Sequence, residues 1–381
     1  MTSDPGSFAQ YTILNRLPAI LDRVLATNPY PDEIRDALLA LRRELLEGKP
    51  IGPLTEEAPD RAEWYAEWAR YAGRTWLNIP WYFAEAFFYR RLLEAVRYFQ
   101  SGPWRGRDPF KPQKQEELRS ALPRFERVVT RLPAASRAGL LALLLFNLWS
   151  NRADLTFDSM SEMAYAGLEH AQDDALLIDH RELIWQALAQ GVKRVDIVND
   201  NAGLELLCDL ALADFLLVHG LAQEVRFHLK NQPFFVSDAM IVDIHETLER
   251  LKARAGLEAL ARRLERHVQQ RKLLLFDEPF WVTAQGFERM PASLQEDLSA
   301  SDLVFFKGDA NYRRLLDDRA WPPDASLAAL TRYFPAPYAT IRVIKAELIV
   351  DLTAEQVEHL RASDPTWMVN GRYGLIQLIK N

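Results

Sequence analysis

Apolar and polar positions follow different patterns in the two halves of the chain. Up to about residue 165, apolar side chains recur at helical spacing, as in the stretch Trp81–Phe99. From about residue 175, short β-rich runs alternate with amphipathic helical patterns, which is typical of βα units. The pattern therefore predicts an α/β fold, with a mainly parallel sheet flanked by helices and an N-terminal all-helical region packed against it.

The change of pattern places a domain boundary near residue 165. We expect residues 1–165 to form the N-terminal helical region and residues 166–381 to form the α/β domain. The sequence has no internal repeat and no Gly/Ser-rich linker at this point. The two regions are therefore expected to pack together, and the predicted boundary is a soft one.

The first strand-to-helix junction with polar residues follows the predicted buried strand Arg194–Val198. Asp200 and Asn201 come at its end, and apolar residues at helical spacing begin at Leu204. Ligands of open α/β sheets bind beyond the carboxyl ends of the strands, and a helix N-terminus there attracts anions. The alternative is that Asn201 caps the helix and Gly203 eases the turn.

A second junction of the same kind follows the predicted strand Glu224–Leu229. Ser237 and Asp238 lie directly before a helical pattern that begins at Ile241. One aspartate at such a place is usually a helix cap, but a second one in the adjacent βα unit favours a shared oxygen-rich site.

A third junction follows the predicted strand Leu303–Lys307. The segment "GDANYRR" turns into a helix that carries an amide, a phenol and the guanidinium groups of Arg313 and Arg314. Arginine suits bidentate contact with phosphate. The alternative is that both arginines belong to a solvated helix face.

The last predicted strand of interest is Tyr338–Leu348, in which Arg342 and Lys345 interrupt an apolar run. A lysine between apolar neighbours in a strand often extends to solvent. Taken alone, Lys345 is therefore weak evidence for a site.

Composition and charge narrow the choice of function. The 381 residues are 49% hydrophobic and 26% charged, with a net charge of -7, so there is no basic footprint for nucleic acid or an anionic membrane. A small phosphorylated molecule remains possible as a partner. The single cysteine, Cys208, excludes an intrachain disulfide and suits a reducing compartment. No signal peptide or membrane span is evident, and we predict a cytoplasmic location.

Several other chemistries lack their motifs. The seven histidines include no His-Glu-x-x-His pair, and the sequence contains neither GxxxxGK[ST] nor GxGxxG. Cys208 lies on the apolar face of its predicted helix, which favours an inert core thiol. The tryptophans, including Trp64, Trp68, Trp76 and Trp81, are interpreted as core residues of the helical region.

Several segments, in their order and spacing, resemble one family over nearly the whole chain. The chain resembles the metal-dependent damage-control phosphatases, also called domain of unknown function 89. The likeness is to subfamily III, which includes acidic-residue methyltransferase-like proteins and sugar-phosphate phosphatases. The segments that carry the resemblance are Pro80–Leu92, Asp108–Phe110, Leu148–Leu155, Asp200–Leu206, Phe235–Asp238, Phe306–Leu315 and Arg342–Lys345.

The resemblance implies a set of site residues and one divalent metal ion, Mn²⁺, Mg²⁺, Co²⁺ or Ni²⁺. The implied metal ligands are Asp200, Asn201 and Asp238. The implied substrate-binding residues are Glu205, Asp309, Asn311, Tyr312, Arg313 and Lys345. The implied catalytic residues are Asp238, Lys345 and Arg313. The sequence departs from the Arg-Thr-x-Lys motif of the branch at Val343, which puts the substrate preference in doubt more than the chemistry.

The activity implied by the resemblance is metal-dependent hydrolysis of small phosphometabolites, with sugar phosphates such as fructose 1-phosphate as the expected substrates. The ion would provide Lewis acidity and a water of lowered pKa, which Asp238 would orient or deprotonate. Lys345 and Arg313 would neutralise the phosphate oxygens, and Asn311 would donate a hydrogen bond.

Two other functions stay open from the sequence. Members of this branch have been named S-adenosylmethionine-dependent protein carboxyl methyltransferases, with Glu205 and Asp238 at the assigned cofactor contact. The sequence lacks the Gly-rich first turn usual in methyltransferases. Dependence on a metal ion would distinguish the phosphatase from the methyltransferase. A non-enzymatic interpretation takes the helical region as a protein-interaction module.

Overall fold

The computed structural model of the chain describes residue 2 and residues 4–133, 136–151 and 175–380. The chain divides into two compact units. The first contains Met1–Gln115, Asn231–Ser237 and Val282–Gln285, and the second contains the remaining residues. The domain boundary predicted near residue 165 lies outside the described residues, as does the end of the quoted segment Leu148–Leu155.

Helices make up the first unit. They are α1 (Phe8–Tyr11), α2 (Leu17–Thr27), α3 (Asp32–Leu46), α4 (Arg61–Ala69) and α5 (Trp81–Ala95), and α6 (Lys111–Val129) runs from this unit into the second. Helix α5 is buried over most of its length, and its buried residues include the charged Glu85 and Arg90. Trp64, Trp76 and Trp81 are buried, as expected of core residues, while Trp68 is half-buried.

The second unit is built on a sheet. Its strands are β1 (Leu176–Asp179), β2 (Val192–Val198), β3 (Ala222–His228), β4 (Leu273–Phe276), β5 (Leu303–Lys307), β6 (Tyr338–Val343) and β7 (Gly374–Ile379). Its helices are α7 (Ser136–Trp149), α8 (Arg181–Leu188), α9 (Leu204–Val218), α10 (Ile241–Lys252), α11 (Glu258–Gln269), α12 (Ala292–Ser299), α13 (Gly308–Leu315), α14 (Leu327–Leu330) and α15 (Ala354–Ser363).

Within the described part of the chain the sheet has seven strands in the order β1-β7-β6-β5-β2-β3-β4. Strands β6 and β7 pair antiparallel, whereas the other neighbouring strands pair parallel. The prediction of a mainly parallel sheet flanked by helices is confirmed. The predicted strand Tyr338–Leu348 is shorter than expected, because β6 ends at Val343.

Each face of the sheet is covered by its own apolar core. In β5, Leu303 and Phe305 point to the core that includes α7 and α9, whereas Val304 and Phe306 point to the core on the other face. This alternation follows the two-residue period of a strand. Helix α9 is buried from Leu204 to Leu216, so any polar side chain on it needs a partner inside the protein.

Cys208 on α9 is fully buried, in agreement with the prediction of a core thiol. Among the helices that the structure describes, none is long and apolar enough to cross a membrane.

Candidate active site at the carboxyl edge of the sheet

The carboxyl ends of β2 and β5 meet where the sheet changes its winding direction. From β2 the chain continues to β3 and β4 on one side, and β5 returns to pair with β2 on the other side. Ligands of open α/β sheets bind in the crevice outside such a switch point. Asp200 follows β2 and Gly308 follows β5, so both residues lie at this edge.

The three predicted metal ligands lie close together. An isolated antiparallel bridge pairs Asn201 with Asp238, and the N–H of Ala239 donates to the carbonyl oxygen of Asp200 at 2.8 Å. The Nδ2 of Asn201 donates to Asp200 Oδ2 at 2.8 Å and to Glu205 Oε2 at 3.0 Å. The turns after β2 and β3 therefore bring two carboxylates, an amide and the predicted substrate residue Glu205 into one cluster.

The alternative that Asn201 caps the following helix is wrong. The N-cap of α9 is Gly203, with φ 70°, and no side chain caps the helix there. The left-handed conformation at Gly203 lets the chain turn into α9 at low cost. The amide nitrogen of Asn201 is thereby directed at the carboxylates of Asp200 and Glu205 rather than at the helix backbone.

Negative charge is concentrated in this cluster. Burial raises the pKa of Asp200 well above its ordinary value, and the charges of Glu205 and Asp238 raise it further, while Lys230 and Lys307 oppose them. Lys230 Nζ lies 3.3 Å from Asp238 Oδ2. A cation among these carboxylates would relieve their repulsion, and carboxylate and amide oxygens suit a hard divalent ion. The residues present therefore fit the metal that the family resemblance implies.

The cluster differs from a purely acidic metal site. In the described ranges, no three or more His, Cys, Asp or Glu side chains are grouped so that they could hold a metal ion. The predicted set instead combines the carboxylates of Asp200 and Asp238 with the amide of Asn201. A set with so few protein ligands leaves coordination positions for water and substrate oxygens, as Mg²⁺ sites usually do.

Gly308 brings the backbone of the β5–α13 junction against Asp200. Its φ is 79°, and a Cβ at this position would lie 1.9 Å from Asp200 Oδ2. An L-residue with a side chain disfavours this φ, and none has room for its Cβ here. The sequence "KGD" therefore needs its glycine for a close approach to the predicted metal ligand, which is a requirement beyond easing a turn.

Lys307 is a site residue that the sequence analysis missed. Its side chain is fully buried, and its Nζ donates to Asp209 Oδ1 at 2.7 Å and to Asn147 Oδ1 at 3.0 Å. The same Nζ lies 3.4 Å from Glu205 Oε1. Burial alone would lower the pKa of Lys307, but the carboxylates of Asp209 and Glu205 outweigh burial and raise it. Lys307 is therefore a permanent positive charge behind the acidic cluster.

A second missed residue is Asn151, which follows the end of α7. The Nζ of Lys345 donates to the Oδ1 of Asn151 at 2.8 Å and also to its backbone carbonyl. The Nδ2 of Asn151 lies 3.4 Å from Asp200 Oδ2. Lys345, the predicted phosphate-binding lysine, is thus connected to a predicted metal ligand through one amide group. The alternative that Lys345 simply extends to solvent is wrong, because it is half-buried and bonded.

The predicted substrate loop is held by ion pairs. Arg342 is buried, and its Nε donates to Asp309 Oδ1 at 2.7 Å. The Nε of Arg313 donates to Asp318 Oδ1 at 2.6 Å, and its Nη1 lies 3.9 Å from Asp309 Oδ2. Asp309 therefore lies between two guanidinium groups at the start of α13. The interpretation of Arg313 as part of a solvated face is wrong, because it is only 9% exposed.

Other side chains of α13 support the loop from inside. The Nδ2 of Asn311 donates to the backbone carbonyl oxygens of Lys307 at 2.8 Å and of Val198 at 3.3 Å. Tyr312 is fully buried, with its hydroxyl accepting from the N–H of Val350. Arg314 is buried, and its guanidinium group donates to two backbone carbonyl oxygens. The interpretation as part of a solvated helix face is therefore wrong for Arg314 too.

The mixed sheet with a carboxylate cluster at its switch point defines an α/β protein of a fold already seen in a solved structure. The crystal structure of a DUF89 family protein from Pyrococcus horikoshii matches with a TM-score of 0.52. The match covers 96% of this chain and 97% of that chain at 16% sequence identity, and at this identity it shows the fold alone.

Sequence comparison identifies the family. A family model described as the damage-control phosphatase ARMT1-like domain matches residues 12–360. Proteins named damage-control phosphatase ARMT1 from Danio rerio and Rattus norvegicus are 32% and 34% identical to the chain, over 98% of this chain and 94% and 96% of theirs. The chain belongs to the damage-control phosphatase ARMT1-like family.

Family membership confirms the resemblance seen in the sequence and the prediction of a phosphomonoester hydrolase. Use of a divalent metal is general in this family. The individual site residues stay predictions, which the geometry described above allows us to develop.

Proposed function

We propose that this chain is a divalent-metal-dependent phosphatase that hydrolyses small phosphometabolites, with sugar phosphates such as fructose 1-phosphate as its substrate class. The observation that supports it most is the cluster of Asp200, Asn201 and Asp238 at the switch point of the sheet, with Lys345 beside it. Anionic oxygens and an ammonium group at one edge suit a metal ion and a phosphate bound side by side.

The carboxylates have two proposed tasks. Asp200, Asn201 and Asp238 would hold the divalent ion, which when bound supplies Lewis acidity to the reaction. Asp238 would in addition orient the attacking water or accept its proton. Lys230, at 3.3 Å from Asp238 Oδ2, offsets part of the charge of that carboxylate. Glu205 remains the proposed substrate contact on α9.

The basic residues would neutralise the phosphate. Lys345 and Arg313 are the proposed contacts for the equatorial oxygens, whose charge must be offset in the transition state. Asp309 lies between Arg313 and Arg342, which supports a role in fixing the orientation of the loop. We also assign to it a contact with a sugar hydroxyl of the substrate. Both amide hydrogens of Asn311 are used by backbone carbonyls, so we assign Asn311 to holding this loop.

The test is release of inorganic phosphate from a panel of sugar phosphates and nucleotides with Mg²⁺, Mn²⁺, Co²⁺ or Ni²⁺. We expect release to need the ion, to stop with a chelator and to be abolished in Asp238→Asn. The matched control is Asp324→Asn, which makes the same change at an exposed residue. It should leave release unchanged.

Two results would count against the proposal. Release that continues in excess chelator would contradict metal dependence. No release from any compound, with the protein folded and the ion bound, would contradict the activity and direct attention to transfer of a methyl group to a carboxylate, which does not need the ion.

A further inference from the structure

Asn151 occupies a position that none of the predicted site residues shares. It lies two residues after the end of α7, a helix that contributes no predicted ligand, and its side chain is half-buried. Its Oδ1 accepts from Lys345 Nζ at 2.8 Å, and its Nδ2 lies 3.4 Å from Asp200 Oδ2. The amide therefore lies between the proposed phosphate-binding lysine and a proposed metal ligand.

Two other polar side chains near the cluster, those of Asn147 and Lys307, are committed to buried partners. Asn147 lies one helical turn earlier on α7 and is 1% exposed, with its Nδ2 donating to the carbonyls of Leu143 and Cys208 and its Oδ1 accepting from Lys307. Lys307 is fully buried. Asn151 combines accessibility with direct contact to Lys345, and it has both a donor and an acceptor for use at the site.

The two contacts of Asn151 have different strengths. The Lys345 ammonium is bonded twice, to Oδ1 and to the backbone carbonyl, whereas the distance from Nδ2 to Asp200 is at the long limit for a hydrogen bond. A hydrogen bond from Nδ2 to a phosphate oxygen would be stronger than the long contact with the Asp200 carboxylate, because it would be charge-assisted and of normal length. The Nδ2 of Asn151 can therefore exchange the Asp200 carboxylate for a phosphate oxygen. Meanwhile the Oδ1 and the backbone carbonyl oxygen of Asn151 keep Lys345 in place.

We propose that Asn151 is a further phosphate-contacting residue of this enzyme. Its Nδ2 donates to an oxygen of the substrate phosphomonoester, and its two oxygens hold Lys345 beside that oxygen. Without these acceptors the flexible side chain of Lys345 would bind the nearby carboxylates, since an ammonium group is attracted to negative charge. This inference rests on the proposed phosphatase function and adds a third element, the end of α7, to the phosphate site.

The test compares Asn151→Ala and Asn151→Asp with the native protein and with Ser150→Ala as the matched control. Calorimetric titrations measure binding of Mn²⁺ alone and then of inorganic phosphate to the Mn²⁺-loaded protein, beside KM and kcat for the best sugar phosphate. Thermal unfolding checks that each variant is folded. Ser150 is adjacent to Asn151, and its hydroxyl bonds the backbone carbonyl oxygen of Asn147 and the buried thiol of Cys208.

We expect Asn151→Ala to weaken phosphate binding and raise KM about tenfold, the effect of losing a hydrogen bond to a charged group. Asn151→Asp should weaken phosphate binding more than Asn151→Ala, because the new carboxylate repels the phosphate. The same variant should bind Mn²⁺ at least as well as the native protein. Weaker binding of phosphate together with undiminished binding of Mn²⁺ cannot come from a general loosening of the fold. Ser150→Ala should stay within about twofold of the native values.

Two results would overturn the inference. Phosphate binding in both Asn151 variants that matches Ser150→Ala would show that the amide does not contact phosphate. Parallel losses of phosphate and Mn²⁺ binding in folded variants would assign Asn151 to support of the cluster. If the native protein binds neither Mn²⁺ nor phosphate and releases none, the proposed function itself fails, which is a distinct outcome.

Discussion

Replacing Gly308 with alanine tests whether the backbone after β5 positions Asp200. The added Cβ would lie 1.9 Å from Asp200 Oδ2, whereas ordinary contact begins near 3.4 Å, so the carboxylate or the loop must move by about 1.5 Å. A displacement of about 1 Å at a reacting centre costs roughly 100-fold in rate. The left-handed φ of 79° adds a backbone penalty of about 1–2 kcal/mol to the stability of the variant.

Gly220 offers a matched control. It also has a positive φ, 65°, but a Cβ there would meet no atom within 4 Å. Gly220→Ala therefore carries the backbone penalty without the clash. Urea unfolding should show a similar loss of stability in both variants, with a further loss in Gly308→Ala if the clash is not fully relieved.

The decisive measurements are Mn²⁺ affinity by calorimetry and the rate of phosphate release. We expect Gly220→Ala to keep both within about twofold of the native protein, and Gly308→Ala to lose about 100-fold in rate together with most of its Mn²⁺ affinity. A folded Gly308→Ala protein with the Mn²⁺ affinity and rate of Gly220→Ala would refute the reasoning, because Asp200 would then have no need of its present position.

Lys307→Met should lower the free energy of unfolding by about 3–5 kcal/mol in urea titrations, because it leaves the buried carboxylate of Asp209 without its ion-pair partner; a loss below about 1 kcal/mol would contradict a buried ion pair. Burial lowers the pKa of His267, and Asp214 opposes it only in part. A lowered pKa in the folded state means that the unfolded chain takes up the proton more readily, so stability should be complete well above pH 6.5 and should fall as the pH drops below it. His267→Gln should make this fall shallower, and unchanged pH profiles of unfolding would contradict the assignment.

The strand-to-helix junctions could be predicted because parallel strands buried on both faces appear as continuous apolar runs. Leu303–Lys307 was predicted with its observed bounds. Asp200 lies two residues after the end of β2, and Asp238 lies ten residues after the end of β3, just before the next helix. Since parallel strands bring their carboxyl ends to one edge, the meeting of Asp200 and Asp238 also followed from the pattern.

The direction of β7 could not be predicted in this way. The period of two residues is the same in a parallel and an antiparallel strand. What decides the direction of Gly374–Ile379 is its pairing with β6 on one side and with β1, nearly the length of the domain away in sequence, on the other. The local pattern of apolar and polar residues does not show which distant strands pair with β7.

The buried polar residues were missed for a related reason. Asp209 interrupts the apolar face of α9 and Lys307 ends an apolar strand, so each looks like a break in a pattern, yet they pair across 98 positions of sequence. Arg314 was open to a solvated interpretation because its partners are backbone carbonyls, which no side-chain pattern reveals. A charged residue within or at the end of a run of apolar positions is the signal that could have identified Asp209 and Lys307.

Among the strands that the structure describes, β1 pairs only with β7, which is synthesised about 195 residues later. At 5–20 residues per second, the ribosome needs roughly 10–40 s to cover that distance. During this interval β1 cannot yet pair with β7 and presents an open edge to other chains, while β2 and β3, and then β5, can already pair. The nascent protein can therefore assemble the edge that carries Asp200 and Gly308 before β7 joins β1 to the sheet, and this is the stage at which a chaperone would protect it most.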